Sequence, residues 1–470
     1  MTGTGYTRYH IPSRPAPNIA AHPSRFRVHV NRPRLAGLLL KELVHYRMNM
    51  PVVLSRPCVY GVFSGPVGGF APRSHRCVGC LRCTVQYPDM VQIRPNPDRL
   101  RLGDSYFTPA NVDTVLYEAA TGRVPVRGAG YRGAYGGQGW DGMWTDMSEI
   151  VRPTRDGIHG REFISTSVDL GEKPALLDFD PSGRPTGEAP RTISLPIPLL
   201  FDLPPASTES ESLYRALAGA AAGIQSLAVL PLRRALDPAL ASSNIVPLLD
   251  PSELDALGRL PKSPLLVELD GWDEAAYAEL RRRYPETLVC IRLPFELALS
   301  AGSEHSLIPL VRRGLRLFHL IADYHGQAGE AFVLDAIRSA HDSLVAEGLR
   351  EQTTLIGSGG IIAAEHVPKA IICGLDAVAL DTPLLVALQG RFQGECVDRT
   401  SAVIELPPFD PSWAVQRLMN LAASWRDQLL EIMGAMGLRE VRRLRGEIGR
   451  AMFQADLERE AFGGIAGFEG

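Results

Sequence analysis

Three cysteines stand at the spacing Cys77-x2-Cys80-x2-Cys83. Thiolates this close in sequence can reach several irons of one cubane cluster from a tight loop, as in ferredoxins. The usual ferredoxin run continues with a fourth cysteine, but Tyr87 stands at that position. Cys58 is the nearest spare thiol. The spacing therefore predicts a [4Fe–4S] cluster held by these four cysteines.

Other ligand sets remain open for this region. If Cys58 does not bind, the site would hold a [3Fe–4S] cluster or use an unusual ligand such as His75. Four thiolates also satisfy tetrahedral zinc, and a site without metal is the third alternative. Cys290 and Cys373 lie in apolar runs, and together with Cys396 they are interpreted as packing residues.

Composition limits the class of protein. The chain has 470 residues with 45% hydrophobic content, which suits one large domain with appendages. Its 49 Lys and Arg against 52 Asp and Glu leave a net charge of -3, so the whole-chain charge favours neither a nucleic acid nor an anionic membrane as partner. There is no apolar run long enough for a membrane span and no signal peptide, so we expect a cytoplasmic protein. Cysteines clustered in this way suit a reducing compartment.

From residue 191 onward, short apolar runs of β type alternate with amphipathic helical segments. Eight such runs begin at residues 193, 226, 244, 264, 287, 317, 354 and 377. Eight strands alternating with helices predict an α/β fold, the (β/α)8 TIM-type barrel, although periodicity alone also allows an open doubly wound sheet. A tail with apolar residues at helical spacing follows and predicts C-terminal helices.

The same pass along the chain predicts five segments. They are an N-terminal arm with a docking helix (1–50), an iron–sulfur cysteine region (51–106), a lead-in segment (107–190), the barrel (191–400) and a C-terminal helical tail (401–470). The arm is rich in Pro and Arg without a sustained period, so we interpret it as flexible or as wrapping a partner.

A phosphate site is predicted after the seventh and eighth strands, where β/α barrels commonly bind a cofactor phosphate. Glycines there let backbone N–H groups approach an anion. The candidate residues are Ser358, Gly359, Gly360, Gly374, Asp381 and Thr382. A tight connection between strand and helix would explain the same glycines. The Asp381 carboxylate would repel a phosphate unless it faces away.

Together, these residues resemble the FMN-binding domain of glutamate synthases, especially the archaeal-type, ferredoxin-like large subunit. The strongest similarity is in LIGSGGIIAAEHVPKAIICGLDAVALDTPLLVAL, which looks like the flavin-phosphate region of that family. The segments at 107–130 and 146–174, the first strand and the C-terminal helices are also similar. The resemblance implies a divergent member that binds FMN and an iron–sulfur cluster.

Differences from the family gather where the chemistry should be. The residues after the first strand are Leu203-Pro204-Pro205-Ala206, in place of a Met-Ser-x-Gly segment. Arg292 stands where the family carries a Lys near the flavin, and its wide planar fork replaces a compact ammonium. The run 326–329 replaces a Gly-Gly-Thr-Gly turn. We therefore expect fewer backbone donors around a flavin ring.

Three functions follow as hypotheses. In the first, a glutamate synthase-like oxidoreductase passes electrons from a donor through the cluster to FMN and reduces 2-iminoglutarate, formed from 2-oxoglutarate and ammonia, with Arg292, Asp323, His325 and Gln327 at the barrel mouth. In the second, a barrel without catalysis serves as an electron-relay or scaffold subunit bound to a redox-partner protein. In the third, the phosphate site holds a phosphorylated metabolite instead of flavin.

Overall fold

The computed structural model describes residues 9–53, 58–125, 137, 139–145, 164–174, 178–186, 191–240 and 242–468. Two compact units are present: residues 18–109, here the cysteine unit, and residues 1–17 with 110–470, here the barrel unit. Most of the Gly-rich stretch at 128–147 and of the similar segment at 146–174 lies outside the described residues.

The cysteine unit is built on two antiparallel strands. Its elements are β1 (Phe26–Val30), α1 (Arg32–His45), α2 (Met50–Val53), α3 (Arg82–Gln86) and β2 (Val91–Pro95). Residue Phe26 pairs with Pro95 and Val30 with Val91. Strand β1 belongs to the segment predicted as an N-terminal arm and β2 to the predicted cysteine region, so these two segments share one unit.

A small apolar core holds the cysteine unit together. Its buried members are Val28, Val30, Leu35, Val62, Cys77 and Val91. Helix α1 starts at the Asn31 cap, whose side chain accepts the backbone N–H of Arg34. This cap fixes the first turn of the helix and places Leu35 over the strands.

The barrel unit contains a closed barrel of eight parallel strands. The strands of the unit are β3 (Met143–Thr145), β4 (Val168–Glu172), β5 (Asp178–Phe179), β6 (Pro185–Thr186), β7 (Arg191–Leu195), β8 (Leu199–Phe201), β9 (Ala228–Pro231), β10 (Ile245–Leu249), β11 (Leu266–Asp270), β12 (Leu288–Pro294), β13 (Leu317–Ile321), β14 (Gln327–Ala328), β15 (Ala331–Phe332), β16 (Thr354–Ser358), β17 (Ala377–Leu380), β18 (Arg391–Phe392), β19 (Ile404–Glu405) and β20 (Ala451–Phe453). The barrel order is β8-β9-β10-β11-β12-β13-β16-β17, and β17 pairs with β8. The predicted TIM-type barrel is confirmed.

Helices surround the barrel. They are α4 (Pro109–Thr121), α5 (Glu211–Gly223), α6 (Leu232–Ala235), α7 (Glu274–Arg283), α8 (Phe295–Ala298), α9 (Leu307–Arg312), α10 (Val333–Ala346), α11 (His366–Cys373), α12 (Thr382–Ala387), α13 (Pro411–Ala435) and α14 (Gln454–Phe462). Helix α13 packs closely on α5, because Gly219 and Gly223 leave room there for Val415 and Met419. No helix among the described residues is long and apolar enough to cross a membrane.

Each of the eight apolar runs contributes a barrel strand, and the first run also begins with β7. Pro196 and Pro198 separate β7 from β8, because proline cannot donate to a strand ladder. Strand β7 pairs with β4 as an antiparallel ribbon. The Thr354 hydroxyl, at the start of β16, donates to the Gly171 carbonyl over 3.0 Å. The ribbon therefore lies at the amino-terminal end of the barrel.

Residues 9–17 lie along the barrel unit's own helices. The Tyr9 hydroxyl donates to the Ile224 carbonyl over 2.6 Å, and the Trp413 indole N–H donates to the Pro17 carbonyl over 2.9 Å. The Asn420 amide donates to the Arg14 carbonyl over 2.7 Å. This part of the predicted arm is therefore attached to the barrel unit.

Candidate functional site

The four cysteines proposed as ligands all belong to the cysteine unit. Cys77 is buried in its core, and Cys58 and Cys83 are partly buried against the same core. Cys80 is exposed. Gly79 (φ 73°) and Leu81 (φ 58°), on either side of Cys80, adopt left-handed backbone conformations. These two turns curl the loop so that Cys77, Cys80 and Cys83 can face one center.

The thiols influence one another electrostatically. Burial raises the pKa of the Cys77 thiol, a hydrogen bond from the Gly79 backbone lowers it, and nearby Cys58 and Cys80 raise it again. Burial also raises the pKa of Cys83, and Cys77 and Cys80 contribute in the same direction. Such thiols stay protonated at neutral pH unless a metal supplies positive charge, so metal binding must release their protons.

The sulfur spacing distinguishes between two kinds of metal site. Zinc with thiolate bonds of about 2.3 Å requires sulfurs ~3.8 Å apart. Among the described residues of the cysteine unit, no three cysteine sulfurs lie within 4.8 Å of one another. Three sulfurs at the spacing of a tetrahedral zinc site are therefore not found there, whereas four thiols are the donor set that an iron–sulfur cluster takes. Cys58 packs against the core that contains Cys77, which makes it the candidate for the fourth ligand.

A second group of polar residues lies inside the barrel, toward the carboxyl ends of its strands. Asp202 follows β8, Glu268 lies in β11, Arg292 in β12 and His319 in β13, and Ser358 ends β16. Arg292 and His319 are paired in register across β12 and β13. Since each of these side chains points into the barrel from a different strand, the fold brings them together although they are distant in sequence. All five are buried.

Arg292 holds this group together. Its guanidinium donates two hydrogen bonds to Asp202, of 2.8 and 2.9 Å, and one of 3.1 Å to Glu268. Glu268 also lies 2.8 Å from His319 Nδ1, and His319 Nε2 lies 3.1 Å from the Ser358 hydroxyl. A proton on Nδ1 suits the carboxylate, and Nε2 then accepts from Ser358. Glu268 and Ser358 therefore hold the His319 ring in place from its two nitrogens.

Opposite charges stabilise one another within this group. Burial alone would lower the pKa of Arg292, but Asp202 and Glu268 outweigh it and raise that pKa. Burial would raise the pKa of Asp202, yet Arg292 and then His319 hold it well below the usual range of a carboxyl. Asp202 and Arg292 therefore form a buried ion pair whose hydrogen-bonding groups are turned toward each other.

The residues predicted to bind a phosphate are bonded to one another. The Asp381 carboxylate accepts the backbone N–H of Thr382 and, over 2.9 Å, the Thr382 hydroxyl. A hydrogen bond from the Gly359 backbone also reaches this carboxylate. Burial and the nearby Asp202 raise the pKa of Asp381 to about 7. The Asp381 carboxylate therefore occupies the backbone N–H groups of Thr382 and Gly359.

Packing and hydrogen bonding involve the glycines of this region. A Cβ on Gly359 would lie 2.5 Å from the Ala322 carbonyl oxygen and 2.6 Å from that of Asp323. Gly360 accepts the Trp140 indole N–H over 2.8 Å. Gly374 precedes β17, at the opposite end of the barrel from Asp381, and packs against His341.

The predicted role of these residues in binding a flavin phosphate stays a prediction. The Tyr324 hydroxyl nearby is buried without a hydrogen-bond partner among the described residues. Burial raises its pKa, and the carboxylates of Asp381 and Asp202 add to the effect.

The four residues predicted at the barrel mouth are divided between two places. Arg292 is inside the barrel, whereas Asp323, His325 and Gln327 lie on the loop after β13. The Asp323 carboxylate accepts the backbone N–H of Gln327 over 2.7 Å and thereby holds this loop. His325 Nε2 lies 3.9 Å from the Glu395 carboxylate. None of these three is among the hydrogen-bond partners of Arg292.

Sequence reasoning missed Asp202, Glu268 and His319. A signal was present for two of them, because Glu268 and His319 are ionisable residues inside apolar β runs, PLLVELD and LFHLIADY. A buried charge must find a partner. Searching the eight runs for such residues would have pointed to the interior of the barrel.

Comparison with known proteins gives a consistent result. Residues 323–439 match the family model described as a conserved region in glutamate synthase. The archaeal-type glutamate synthase (NADPH) of Dehalococcoides mccartyi is 25% identical over 80% of this chain and 86% of its own length. The archaeal glutamate synthase (NADPH) of Archaeoglobus fulgidus is 24% identical over 83% of this chain and 88% of its own length. That of Methanocaldococcus jannaschii is 35% identical over 24% of each chain.

The identity is low, but the similarity extends over most of both chains and agrees with the closed barrel. The matched region 323–439 includes β16 and β17 and the long helix α13. Glutamate synthases are oxidoreductases, so this is the general class to which the relatives point. The chain therefore resembles archaeal-type glutamate synthases over most of its length, and its residues 323–439 match a region conserved in that family.

Proposed function

We propose that this chain is an electron-relay subunit that holds an iron–sulfur cluster through Cys58, Cys77, Cys80 and Cys83. The observation that carries the proposal is the packing of Cys58, Cys77 and Cys83 in or against one small core, with a left-handed residue on either side of Cys80 in the loop. Structural cysteines without a metal need neither such a loop nor such a gathering of thiols.

The chain's own residues determine what the site does. A bound cluster supplies reversible one-electron transfer. The core around Cys77 excludes water from one side of the site, whereas exposed Cys80 leaves the other side near solvent. Burial that raises the pKa of Cys77 and Cys83 makes binding pH-dependent, because these thiols must give up their protons to the solvent.

The interior of the barrel is what favours a relay over a synthase in this proposal. FMN and the reduction of 2-iminoglutarate would need a phosphate cradle and room for a reacting ring. The described residues instead pair Arg292 with Asp202 and Glu268, and place the Asp381 carboxylate on the N–H groups of Thr382 and Gly359. These contacts support a barrel that serves as a scaffold.

A flavin-dependent synthase is the second candidate. The observation that favours it is the match of residues 323–439 to the conserved region of glutamate synthases, which includes the loops after β16 and β17. Under this alternative, 2-oxoglutarate and ammonia would be the substrates, and Arg292 would be the charged residue nearest the reaction.

Anaerobic purification with iron, acid-labile sulfide and FMN measured per chain tests the proposal. We expect close to four irons and four sulfides per chain, with an EPR signal on reduction. Cys77→Ala and Cys80→Ala should lose the cluster, whereas the matched control Cys290→Ala, a buried cysteine of the barrel unit, should keep it. Equal iron content in all four proteins would contradict the cysteine assignment.

A second assay distinguishes relay from synthase. Reduced donor is supplied with 2-oxoglutarate and ammonia, and the loss of donor is followed under argon. A relay subunit should show no dependence on 2-oxoglutarate. FMN near one per chain, together with oxidation that depends on 2-oxoglutarate, would favour the synthase and contradict the relay.

A further inference from the structure

Residues 9–17, here called the strap, contain three prolines within six positions: Pro12, Pro15 and Pro17. Proline has no backbone N–H and fixes its own φ, and it biases the residue before it toward extended backbone. Such a run cannot form a helix or pair within a sheet, and the strap has no helix or strand in the structure. Its backbone carbonyls therefore need hydrogen-bond donors from another part of the chain.

One stripe of helix α13 supplies these donors. Trp413, Gln416, Arg417 and Asn420 stand at i, i+3, i+4 and i+7, so they share one face of the helix. We call these four side chains the donor stripe. Each donates a side-chain N–H to the strap, and the acceptors are, in that order, the carbonyls of Pro17, Pro12, Ala16 and Arg14, over 2.9, 3.0, 2.7 and 2.7 Å.

Two further hydrogen bonds involve the backbone N–H groups of the strap. The Asn420 side-chain oxygen accepts the Arg14 N–H over 3.2 Å, so this one amide bonds to both the N–H and the carbonyl of Arg14. The Ala16 N–H donates to the Ala120 carbonyl, at the C-terminal end of α4, over 2.9 Å. All of these contacts use the main chain of the strap and do not depend on which side chains it carries.

Few strap side chains are buried. Ile11 and Ala16, five positions apart, are each 3% exposed. The three prolines between and after them are exposed. The prolines therefore keep the segment extended, whereas specificity comes from one aliphatic and one small side chain at a fixed separation.

The donor stripe contains buried polar groups that need the strap. Arg417 and Asn420 have no exposed surface. Among the residues that the structure describes, no carboxylate pairs with Arg417. Its guanidinium instead donates to main-chain carbonyls, those of Ala16 and Ala387 among them. Without a segment in the place of the strap, these donors would lose acceptors, which is costly for buried groups.

The strap is connected to its site only through a long insertion. The chain passes from the strap into the cysteine unit, residues 18–109, and then returns to the barrel unit. The entropic cost of closing a loop grows slowly with its length, and a tethered segment is present at its site at about millimolar effective concentration. The strap therefore resembles a tethered peptide ligand.

We propose that the donor stripe of α13, with the C-terminal end of α4, is a binding site for an extended, proline-containing peptide. The strap is the ligand that occupies it in this structure, and a separate peptide with the same pattern binds there once the strap is released. The pattern is an aliphatic residue, Pro, two variable residues, Pro, a small residue and Pro. Proline lowers the entropy that such a peptide loses on binding. The proposal concerns the barrel unit and does not depend on the cysteines.

The test uses the full chain with a protease recognition sequence inserted between Asn18 and Ile19, which are both exposed. Cleavage after purification removes the tether of the strap, and gel filtration removes the released segment. A fluorescent peptide of residues 9–17 is then titrated and its anisotropy followed. We expect saturable binding to the cleaved chain. Binding to the uncut chain should be about 10-fold or more weaker, because its own strap competes at millimolar effective concentration.

Two matched pairs locate the binding. Gln416→Ala removes one donor of the stripe and should weaken peptide binding by about 5-fold. The control Gln428→Ala lies in the same helix, but its side chain donates to Glu118, so it should keep wild-type affinity. A peptide with Ala16→Asp should bind about 10-fold or more weakly than the natural sequence, because the site buries this position. A peptide with Ser13→Asp changes an exposed position by the same charge and should bind nearly as well.

Circular dichroism of the cleaved chain is recorded first. Loss of helix on cleavage would overturn the proposal, because the strap would then be an integral part of the fold. Cleaved strap that stays bound and is never replaced by excess peptide would overturn it for the same reason. Equal affinity for cut and uncut chains, or for the natural and Ala16→Asp peptides, would place the binding elsewhere and would also overturn it.

Discussion

The carboxyl end of the barrel and the loop of the cysteine unit both gather ionisable side chains, but they satisfy them differently. In the barrel, Arg292 bonds to Asp202 and Glu268, and the Asp381 carboxylate bonds to Thr382. In the cysteine unit, burial and the neighbouring thiols raise the pKa of Cys77 and Cys83, and hydrogen bonds from Gly79 and Thr84 oppose this only in part. The barrel supplies its own counter-ions, and the cysteine unit requires an external one.

This difference separates the two units by how their charges are satisfied. The barrel is a closed ring of eight parallel strands, and charged residues inside it pair with one another. Because fold does not imply function, similarity over the barrel is weak evidence for the chemistry of the relatives. The cysteine unit is smaller, yet its side chains lack partners of the kind that a metal would supply. The predictions below test whether this contrast holds.

Removal of metal should have the largest effect and should be confined to the cysteine unit. Its core is small and includes Cys77, and metal-dependent small domains owe on the order of 10 kcal/mol to their metal. Anaerobic iron chelation should therefore expose residues 18–109 to limited proteolysis and leave the barrel intact. Mass spectrometry of the fragments checks this outcome. Identical cleavage with and without chelator would show that the unit folds without metal.

Arg292→Ala should produce the largest effect of a single substitution in the barrel. The variant leaves Asp202 and Glu268 buried without their cation, which costs about 3–5 kcal/mol of unfolding free energy. Urea unfolding measures it. The control Arg282→Ala removes an exposed pair with Glu279 and should leave the urea midpoint close to that of wild type. A small effect at Arg292 would mean that the barrel end does not depend on internal pairing.

The pH dependence of stability should reveal Asp381. Its pKa is raised to about 7 in the folded chain, mainly by burial, against about 3.9 for an unfolded Asp. The folded state therefore holds a proton that the unfolded state releases, and this contribution to stability falls by about 1.4 kcal/mol per pH unit between about pH 4 and pH 7. Asp381→Asn should remove this slope, as measured by urea unfolding across that range.

A matched carboxylate controls for general acid effects. Asp410 caps α13, and the Ser412 hydroxyl holds its pKa below the usual range. A lowered carboxyl pKa gives stability that is lost only as the pH falls. The unfolding free energies of Asp410→Asn and wild type should therefore differ by a constant amount above about pH 5. If the unfolding free energy of the Asp381→Asn variant changes with pH as that of wild type does, Asp381 is ionised throughout this range. Its carboxylate would then be in contact with water.

Much of the fold was predictable from the sequence, because the barrel strands are short apolar runs with β-branched residues, separated by helical periods. Barrel closure was predicted from the count of eight runs and is confirmed. The ribbon of β4 and β7 was not predicted, because it depends on Pro196 and Pro198 ending one run early. Nor was the pairing of β1 with β2, because it joins segments more than sixty residues apart.

The candidate site was less predictable than the fold. Glycines after the seventh strand predicted a phosphate cradle. Packing gives a separate reason for Gly359, because a Cβ there would collide with the Ala322 and Asp323 carbonyl oxygens. Gly374 precedes its strand, so it lies at the other end of the barrel. Periodicity does not show which distant side chains meet inside a barrel. The ligation of metal by the four cysteines stays a prediction.

The smallest expected effect is the difference in stability between two glycine variants. It tests whether packing requires a glycine at position 359. Both Gly359 (φ 91°) and Gly271 (φ 82°) have left-handed backbone conformations near the carboxyl ends of barrel strands. A Cβ at Gly271 would meet nothing within 4 Å, whereas at Gly359 it would meet two carbonyl oxygens. Gly271→Ala should cost about 1 kcal/mol for its backbone conformation alone. Gly359→Ala should cost about 1–3 kcal/mol more, because the loop after β13 must shift.

Thermal and urea unfolding of the two variants, each compared with wild type, measure this difference without any ligand. If packing requires Gly359, its variant loses stability in buffer alone. Equal losses in the two variants would show that the space beside Gly359 yields easily. The turn at Gly359 would then be free to bind an anion. The contrast between a barrel that pairs its own charges and a cysteine unit that depends on a metal would weaken.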